Sequence, residues 1–375
     1  MTEKNKKLKV LLVSPYSDKL VGGIINWTKY IVNYHHEHDE EVDLTLLYNE
    51  NAEQIMAGTS TLQRLKSGLN NYLPVCRGFK EKVKKEHFNV AHICSSASLG
   101  LLRDLYIVNA ARKRGIKTCV HMHFGRIPQI LKSKGWERWL LMKLVKKVDR
   151  VVVMDSASYV ALRDAGSENV SNLPNPLSGE VLELIEKNAR FERTPRKIVY
   201  AGHLVATKGV FELVRACRQI PEVELDVLGK EAVAGTRERL LESAGDDCEK
   251  WFSAPGNKTL EEVIIAMKTC NIFALPSYSE GFPNVILESM ACGCPIIATR
   301  VGAIPEMLAI DSDKPCGICV PPKDETALKN AIVDLLENPQ KAKEMGENAH
   351  GRVMENYTMP KVWSQLVGIW KELSL

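Results

Sequence analysis

The sequence has no long hydrophobic segment. No stretch approaches the roughly 18 uncharged apolar residues that a membrane-spanning helix needs, so any membrane contact is expected to be peripheral. Charge of one sign is also scarce, because 50 lysines and arginines face 46 acidic residues, for a net charge of +4. No aromatic-rich basic repeat accompanies this excess, so no nucleic-acid partner is expected. No G-x-G-x-x-G motif follows a strand-like run, which argues against a dinucleotide-dependent dehydrogenase.

Cysteines are present but form no evident framework. Ten are scattered along the chain, and Cys94 and Cys119 lie inside strand-like runs, as expected of reduced thiols that act as small apolar residues. Cys316 and Cys319 form a lone C-x-x-C pair without the second ligand pair of a zinc site. The basic start leads into a short apolar run broken by Pro15, which predicts a first strand rather than a signal peptide. We therefore expect a cytoplasmic protein, with any peripheral contact at the inner face of the cell membrane.

Short apolar runs alternate with longer helical patterns, which is typical of a parallel α/β sheet. The runs are KVLLVSPY, VDLTLLY, NVAHICSS, KTCVHMH and RVVVMDS in the first half, and KIVYAGHL, VELDVLGK and NIFALPSYSE after a polar segment near residues 176 to 196. The predicted fold is α/β, with two Rossmann-like, doubly wound parallel-sheet domains facing a central cleft. The expected domains are residues 1–178 and 195–357, with a last helix at about 358–375 that packs back onto the first domain.

The most informative segment is NIFALPSYSEGFPNVILESMACGCPIIATRVGAIPE. Its pattern predicts a strand, a loop, a helix from about Pro283 to Gly293, and a second strand. A helix start has unpaired N–H groups and a partial positive charge, which together bind a diphosphate without a metal ion. Gly281, Phe282, Pro283 and Asn284 mark this helix start and are the predicted diphosphate-binding residues.

Two glutamates lie on either side of the helix start. Glu288 is roughly 7 Å along the helix at about 1.5 Å per residue, comparable with the reach from a diphosphate to its ribose, so its carboxylate is predicted to accept the ribose hydroxyls. Glu280 precedes the helix, and is predicted to accept hydroxyls of a sugar attached to the diphosphate. Taken singly, Glu280 is better explained as a first-turn acid and Glu288 as a solvated helix residue. The pair, together with Lys208 in an earlier loop, favours a binding site.

The spacing of these glutamates in EGFPNVILE resembles the retaining glycosyltransferases of family 4, which have the GT-B fold. The resemblance extends through KIVYAGHLVATKGVFELVRA, the PNP at the domain junction and GAIPE, and more loosely through SPYSDKLVGGI and VHMHFGRIP in the first half. It implies transfer of a sugar from a nucleoside-diphosphate sugar, with retention at the anomeric carbon and without a metal or other cofactor. The acceptor that it suggests is a glycan or lipid-linked glycan in surface polysaccharide biosynthesis.

The resemblance also assigns individual second-half residues. Lys208 is expected to neutralise the departing diphosphate, and a lysine so close to a helix start is unfavourable unless an anion is near. His203 stands where the family usually has an arginine, and because histidine lacks the bidentate fork, a weaker diphosphate clamp is expected. The stretch WFSAPGNKTLEE resembles the loop that contacts the base in the family, which makes Gly256 a candidate on the nucleobase side.

Fewer residues stand out in the first half. Gly22 and Gly23 follow the first strand, where bare backbone would let the donor or acceptor approach, although a flexible turn explains them equally well. His121 and His123 end a strand on one face, and His123 is identified as the family's active-site histidine, with His121 deeper and structural. The pair could also ligate a metal, but no third ligand has a sensible spacing. Arg126 is expected to meet an acidic group of the acceptor or to be an ordinary surface arginine.

A helical projection of residues 136–148 separates two faces. One face is predicted to join the core: Leu140, Leu141, Leu144, Val145 and Val148. The other combines tryptophans with lysines, which suits the headgroup region of an anionic membrane: Trp136, Trp139, Lys143, Lys146 and Lys147. Packing of the tryptophans between domains, beneath a solvated lysine face, is the alternative.

The sequence therefore predicts a glycosyltransferase, and two other functions remain open. A GT-B protein that binds a sugar nucleotide but has lost transfer is suggested by His203. A GT-B nucleotide-sugar epimerase would interconvert donors without an acceptor, and the pairing of Glu280 with Glu288 argues against it.

Overall fold

The computed structural model describes residues 7–17, 22–38, 41–50, 61–188 and 191–375, without the side chains of residues 61–69. Residues 18–21 of the segment SPYSDKLVGGI thus lie outside the described residues. The chain divides into two compact units, the first formed by Met1–Pro176 with Met359–Leu375 and the second by Leu177–Thr358.

The first unit contains a six-stranded parallel sheet in the order β2-β1-β3-β4-β5-β6. The strands are β1 (Leu8–Val13), β2 (Val42–Leu47), β3 (Val90–Ser95), β4 (Lys117–Met122), β5 (Arg150–Val153) and β6 (Val170–Asn172). The helices among them are α1 (Gly23–His38), α2 (Thr61–Lys85), α3 (Gly100–Arg112), α4 (Ile127–Lys132), α5 (Trp136–Val145) and α6 (Ser156–Asp164). The strand order reverses between β1 and β3, which makes the loops after them the expected ligand-binding edge.

The second unit repeats this design with the sheet order β12-β11-β10-β7-β8-β9, again parallel throughout. Its strands are β7 (Lys197–Ala201), β8 (Glu224–Leu228), β9 (Phe252–Gly256), β10 (Ile272–Leu275), β11 (Ile296–Thr299) and β12 (Ile318–Val320). Its helices are α7 (Gly179–Lys187), α8 (Val210–Arg218), α9 (Thr236–Ala244), α10 (Leu260–Thr269), α11 (Asn284–Ala291), α12 (Ile304–Met307), α13 (Glu325–Glu337) and α14 (Pro339–Asn356). The order reverses between β7 and β10. The predicted α/β class with two doubly wound parallel sheets is confirmed.

The last helix, α15 (Met359–Ser374), belongs to the first unit. Its buried residues Val362, Leu366 and Trp370 join Trp27 and Ile31 of α1 in the core on one face of the first sheet. The opposite face is covered by α2, α3 and α5. A parallel sheet buried on both faces explains why its strands read as nearly continuous apolar runs.

One predicted loop is in part a strand. The stretch WFSAPGNKTLEE contains β9, in which Phe252 and Ala254 are buried while the residues between and after them are not. This period of two is a strand pattern, and Pro255 is tolerated because β9 lies at the sheet edge. The prediction of a loop was therefore wrong for Phe252–Gly256. The true loop ends at Thr259, which begins α10 with a capping box to Glu262.

All ten cysteines are free, and Cys94 and Cys119 are buried in β3 and β4 as predicted. None of the helices in the described ranges combines the length and apolar character needed to cross a bilayer.

Candidate active site

Lys208 and Glu280 form an ion pair where the strand order of the second sheet reverses. Lys208 ends a single 3-10 turn after β7, and Glu280 lies in the loop after β10. The Lys208 Nζ is 2.5 Å from the Glu280 Oε1, and the two side chains are 28% and 10% exposed. The anion that a lysine needs near a helix start is thus supplied by Glu280. The sequence placed both residues in one site but did not indicate that they contact each other.

The loop that carries Glu280 is held by close backbone packing. Gly302 has φ +55°, and a Cβ there would lie 2.3 Å from the Glu280 carbonyl oxygen and 2.7 Å from that of Gly281. The next residue, Ala303, donates its N–H to the Gly281 carbonyl at 2.9 Å. Gly209, with φ +70°, approaches the Pro276 carbonyl in the same loop, 2.0 Å from where its Cβ would be. Only glycine fits at these two positions, so the loop that carries Glu280 is fixed at Pro276 by Gly209 and at Glu280 and Gly281 by Gly302.

Helix α11 follows this loop and carries the second glutamate. It begins at Asn284 after the N-cap residue Pro283, close to the predicted start. The Phe282 side chain is buried and packs edge-on against Tyr357, with ring centroids 5.8 Å apart. Glu288, in the middle of α11, is partly buried, and this burial raises the pKa of its carboxyl to about 7. A carboxyl group with this pKa changes charge near neutral pH.

Tyr200 shapes the turn after β7 and was not predicted as a site residue. Its ring is fully buried, and its hydroxyl donates to the His203 carbonyl at 2.9 Å. Burial, with a smaller effect of the Glu280 charge, raises the pKa of Tyr200, so the phenol stays protonated and remains a donor. The His203 side chain itself is exposed.

Gly256 ends β9 with φ +90°, and no heavy atom of the described residues lies within 4 Å of where its Cβ would be. Its carbonyl accepts the Gly229 N–H at 2.9 Å. The backbone conformation, rather than a lack of space, therefore favours glycine at this position.

His123 and His121 are part of an aromatic cluster in the first unit. Their ring centroids are 4.0 Å apart, and Trp27 packs edge-on against both at 4.9 and 5.0 Å. His92 lies next to His121, and its Nδ1 accepts the Trp370 Nε1–H at 3.0 Å. Burial lowers the pKa of His92 and His123 to about 3 and that of His121 well below its usual value. All three imidazoles are therefore neutral at physiological pH.

Among the residues the structure covers, no group of three histidine, cysteine, aspartate or glutamate side chains is arranged so that it could hold a metal ion. His123 follows β4 directly, and its N–H donates to the Ser95 carbonyl at the end of β3, at 2.9 Å. This hydrogen bond joins the carboxyl ends of the neighbouring strands β3 and β4.

Gly22 and Gly23 lie at the start of α1, where Gly22 accepts the Asn26 N–H at 2.9 Å. A Cβ on either glycine would meet no described heavy atom within 4 Å, and neither has a left-handed backbone. Local conformation and described packing therefore do not require glycine here, and both the ligand-approach and the flexible-turn interpretations of these glycines stay predictions.

Arg126 has partners that the sequence did not indicate. Its guanidinium forms a bidentate ion pair with Glu137, at 2.9 Å from Nη1 to Oε2 and 2.6 Å from Nη2 to Oε1. Nη2 also donates to the Ser98 Oγ at 2.9 Å. Arg126 is therefore not an isolated surface arginine.

Helix α5 has the two predicted faces. Leu140, Leu141, Leu144, Val145 and Val148 are buried, whereas Trp136 and Trp139 are 56% and 61% exposed. The Lys143 Nζ lies 4.5 Å from the centre of the Trp139 ring. Lys146 is exposed, and Lys147 donates to the Asn109 Oδ1 at 2.9 Å. More than half of each of the two tryptophans is therefore exposed.

Comparison with known proteins finds related sequences. Residues 183–352 match the family model of group 1 glycosyl transferases. The MMP α-(1→4)-mannosyltransferase of Mycolicibacterium hassiacum is 30% identical over 181 residues, which are 47% of this chain and 43% of that protein. The GDP-mannose-dependent monoacylated α-(1-6)-phosphatidylinositol monomannoside mannosyltransferase of Corynebacterium glutamicum is 22% identical over 96% of this chain and 97% of its own. The chain spans only 33% to 60% of the length of four curated relatives that it matches.

The whole fold is also shared with solved structures. Sucrose-phosphate synthase from Thermosynechococcus elongatus superposes with a TM-score of 0.76 and 18% identity, covering 98% of this chain and 99% of that one. Residues 183–352 are thus similar to the group 1 glycosyl transferases, and the chain as a whole has the GT-B fold of these solved structures.

Proposed function

We propose that this protein is a retaining glycosyltransferase that moves a sugar from a nucleoside-diphosphate sugar to a glycan or lipid-linked glycan in surface polysaccharide biosynthesis. The observation that carries the proposal is the contact between Lys208 and Glu280 at the reversal of the second sheet, four residues before the helix that bears Glu288. One edge of one sheet thus carries Lys208 as a cation for the diphosphate, Glu280 as a carboxylate for the sugar and Glu288 as a carboxylate for the ribose.

The donor is proposed to bind along this edge. The start of α11, at Gly281 to Asn284, receives the diphosphate, because helix-start amides and the helix dipole favour an anion. Glu288 accepts the ribose hydroxyls, and Gly256 lies on the nucleobase side. Lys208 then bonds the diphosphate and Glu280 bonds the sugar hydroxyls, so donor binding exchanges their mutual contact for two contacts with the donor. His203 contributes a weaker diphosphate contact than an arginine would.

The chemical step is proposed to occur on one face of the sugar. Negative charge grows on the departing diphosphate, and Lys208 and the helix start stabilise it there, so no metal is proposed. The leaving phosphate takes the proton of the acceptor hydroxyl. His123 is neutral and touches Trp27 and His121, and it is proposed to hydrogen-bond the donor sugar or orient the acceptor rather than to act as a cation.

Hydrolysis of sugar nucleotides, followed by proton NMR, tests the proposal without a known acceptor. An α-linked donor is expected to release nucleoside diphosphate and, first, the α-anomer of the sugar. Release of the β-anomer first would contradict retention. Binding without release would favour a protein that has lost transfer, and interconversion of donor sugars without release would favour an epimerase.

Lys208→Met is expected to lower this turnover by at least 100-fold, about 2.7 kcal/mol of transition-state stabilisation. Lys197→Met is the matched control, because Lys197 pairs with Asp226 at 2.8 Å with similar exposure but begins β7, at the opposite end of that strand from the Lys208 turn.

A lipid-linked acceptor is proposed because α5 presents exposed tryptophans beside lysines. On this account the protein is cytoplasmic and peripheral at an anionic membrane. Wild type is expected to co-sediment with phosphatidylglycerol vesicles at low salt, and Trp136→Ala with Trp139→Ala to lose most of this binding. Val160→Ala, which trims an equally exposed apolar residue of α6, is the control. Absence of wild-type co-sedimentation would remove the membrane proposal alone.

A further inference from the structure

The loop between β3 and α3 has a strained backbone. Ala97 and Ser98 are consecutive non-glycine residues in the left-handed region, with φ of +68° and +53°. Such strain persists only where the surroundings over-determine it, and it collects at binding and catalytic sites. The loop lies at the carboxyl edge of the first sheet, directly after Ser95, the last residue of β3, whose carbonyl accepts the His123 N–H.

Glu137, in the first turn of α5, fixes this strained loop. Its Oε1 accepts both the N–H and the hydroxyl of Ser98, each at 3.0 Å, in addition to the Arg126 guanidinium. Three donors therefore converge on the Glu137 Oε1. These bonds join the β3–α3 loop, through Ser98, and the turn before α4, through Arg126, to the start of α5. Burial acts to raise the pKa of Glu137, but the hydrogen bonds and charge of Arg126 and the hydrogen bonds of Ser98 together lower it, so the carboxylate stays charged.

The ion pair faces solvent on the arginine side. The Glu137 side chain is 18% exposed, whereas that of Arg126 is 42% exposed, and the Arg126 Nε–H has no partner among the described residues. A guanidinium that is fixed along one edge and open along another is suited to bind an oxyanion, because its remaining N–H groups are already oriented.

The surrounding charge favours an anionic ligand. Residues 126–150 contain eight lysines and arginines and two acidic residues, Glu137 and Asp149. Asp149 accepts the N–H and hydroxyl of Thr118, so its carboxylate is turned to the sheet. This stretch of the chain therefore carries a net positive charge, which favours phosphate groups as ligands.

We propose that Arg126, held in place by Glu137 and Ser98, binds a phosphate group of the acceptor. Arg126 is the ligand-contacting residue, and Glu137 and Ser98 are positioning residues. Trp136, next to Glu137 and exposed, offers apolar surface for the rest of that molecule. That the phosphate belongs to the acceptor rests on the proposed function, whereas phosphate binding at Arg126 is measurable without nucleotide or turnover.

Calorimetric titration with inorganic phosphate tests this site, in a Lys208→Met background that disables the diphosphate site of the second unit. Arg126→Gln is expected to weaken phosphate binding at least tenfold, and Arg126→Lys less, because lysine keeps the charge but loses the fork. Arg138→Gln is the control, since Arg138 is an exposed arginine in the same helix as Glu137, and it is expected to change the affinity less than twofold. Equal effects of Arg126→Gln and Arg138→Gln, or no phosphate binding at all, would overturn the proposal.

The positioning role of Glu137 is tested by a double-variant cycle. Glu137→Gln alone is expected to weaken phosphate binding, and Glu137→Gln combined with Arg126→Gln to weaken it no more than Arg126→Gln alone, because Glu137 acts through Arg126. Additive losses would show that Glu137 does not act through Arg126. Thermal melting of each variant without phosphate separates these effects from loss of folding, and Arg126→Lys gives an independent result if Arg126→Gln does not fold.

Two further probes distinguish a lipid headgroup from a soluble phosphate ester. If the ligand is a headgroup, Arg126→Gln reduces binding to phosphatidylglycerol vesicles more than Arg138→Gln does. If the ligand is a soluble phosphate ester, Arg126→Gln and Arg138→Gln differ in their affinity for glycerol 3-phosphate but not in their binding to vesicles. No difference with either probe would refute the proposal. A failure of wild type to bind any sugar nucleotide would remove the proposed function and leave these phosphate results unaffected.

Discussion

At the residue scale, the two glutamates of the donor edge have different surroundings. Glu280 is held by the Lys208 ammonium, whereas burial raises the pKa of Glu288 to about 7. A carboxyl group that is only partly ionised at neutral pH is an incomplete acceptor for two ribose hydroxyls, because its protonated form has one acceptor oxygen fewer. Binding of the donor should therefore depend on the charge of Glu288.

We predict that affinity for a sugar nucleotide falls by up to about tenfold between pH 8 and pH 6, as Glu288 becomes protonated through its pKa of about 7. Glu288→Gln should bind more weakly than wild type at pH 8 and lose this part of the pH dependence. Calorimetry with a sugar nucleotide at pH 6, 7 and 8 measures both effects, and Glu238→Gln, an exposed glutamate of α9, is the control. An equal pH dependence in wild type and Glu288→Gln would contradict the role of Glu288.

Gly302 is predicted to control the position of Glu280. Gly302→Ala places a Cβ 2.3 Å from the Glu280 carbonyl oxygen at a left-handed φ, and should lower stability by about 2 kcal/mol or more and reduce turnover. Gly235→Ala has a similar φ of +78°, but its nearest neighbour is 4.0 Å away, so it should show only the backbone cost of about 1 kcal/mol. Chemical unfolding and donor hydrolysis of both variants compare them. Equal stability and activity in the two variants would show that the close approach is unimportant.

At the scale of elements, α1, α15, β3 and β4 enclose the neutral histidines. Each imidazole is buried against aromatic rings rather than against an acid, and both ring nitrogens of His121 are buried without a hydrogen-bond partner in the described structure. Protonation inside this cluster is therefore costly, whereas the unfolded chain takes up protons near pH 6.5.

The first unit is predicted to be acid-sensitive. Because the folded-state pKa values are lowered, the contribution of the histidines to the free energy of unfolding is fully present above about pH 6.5 and is lost as the pH falls toward 3. At pH 5 the loss is about 2 kcal/mol for each of His92 and His123. Urea unfolding at pH 7.5 and pH 5 measures this loss, and tryptophan fluorescence reports mainly on the first unit, which contains five of the six tryptophans.

His121→Phe should reduce this pH dependence by removing one of the titrating groups. His87→Gln changes an exposed histidine of the same unit and should not. A wild-type protein with equal stability at both pH values would show that the cluster accepts protons without cost.

At the scale of the whole molecule, the sequence was sufficient for the architecture. Strands such as β3 and β4 are buried along their length, which gives clear apolar runs. Two edge strands are less visible: β6 has three residues, and β9 contains Pro255 and alternates in burial. Local pattern therefore revealed the buried strands and the edge strand β2, but missed β6 and β9.

The candidate site was predictable only where a motif is local. Glu280 and Glu288 lie in one continuous segment and could be recognised together. The roles of Tyr200, Gly302 and Glu137 depend on contacts that the order of residues does not show. Glu137 accepts a hydrogen bond from Ser98, which lies 39 residues earlier in the sequence. Glycine is required at position 302 because a Cβ there would clash with the Glu280 carbonyl oxygen in a separate loop. Such positioning residues look like ordinary core, turn or helix residues in the sequence.

The central claim is that the edge of the second sheet binds a sugar nucleotide. It is tested most directly by calorimetric titration of wild type and Glu288→Ala with uridine, guanosine and adenosine diphosphates and their sugar conjugates. We predict saturable binding of one nucleotide by wild type and at least a 100-fold loss in Glu288→Ala, about 2.7 kcal/mol, which fits two lost hydrogen bonds to a charged group. Absence of binding across the whole panel, or equal binding by both proteins, would contradict the account.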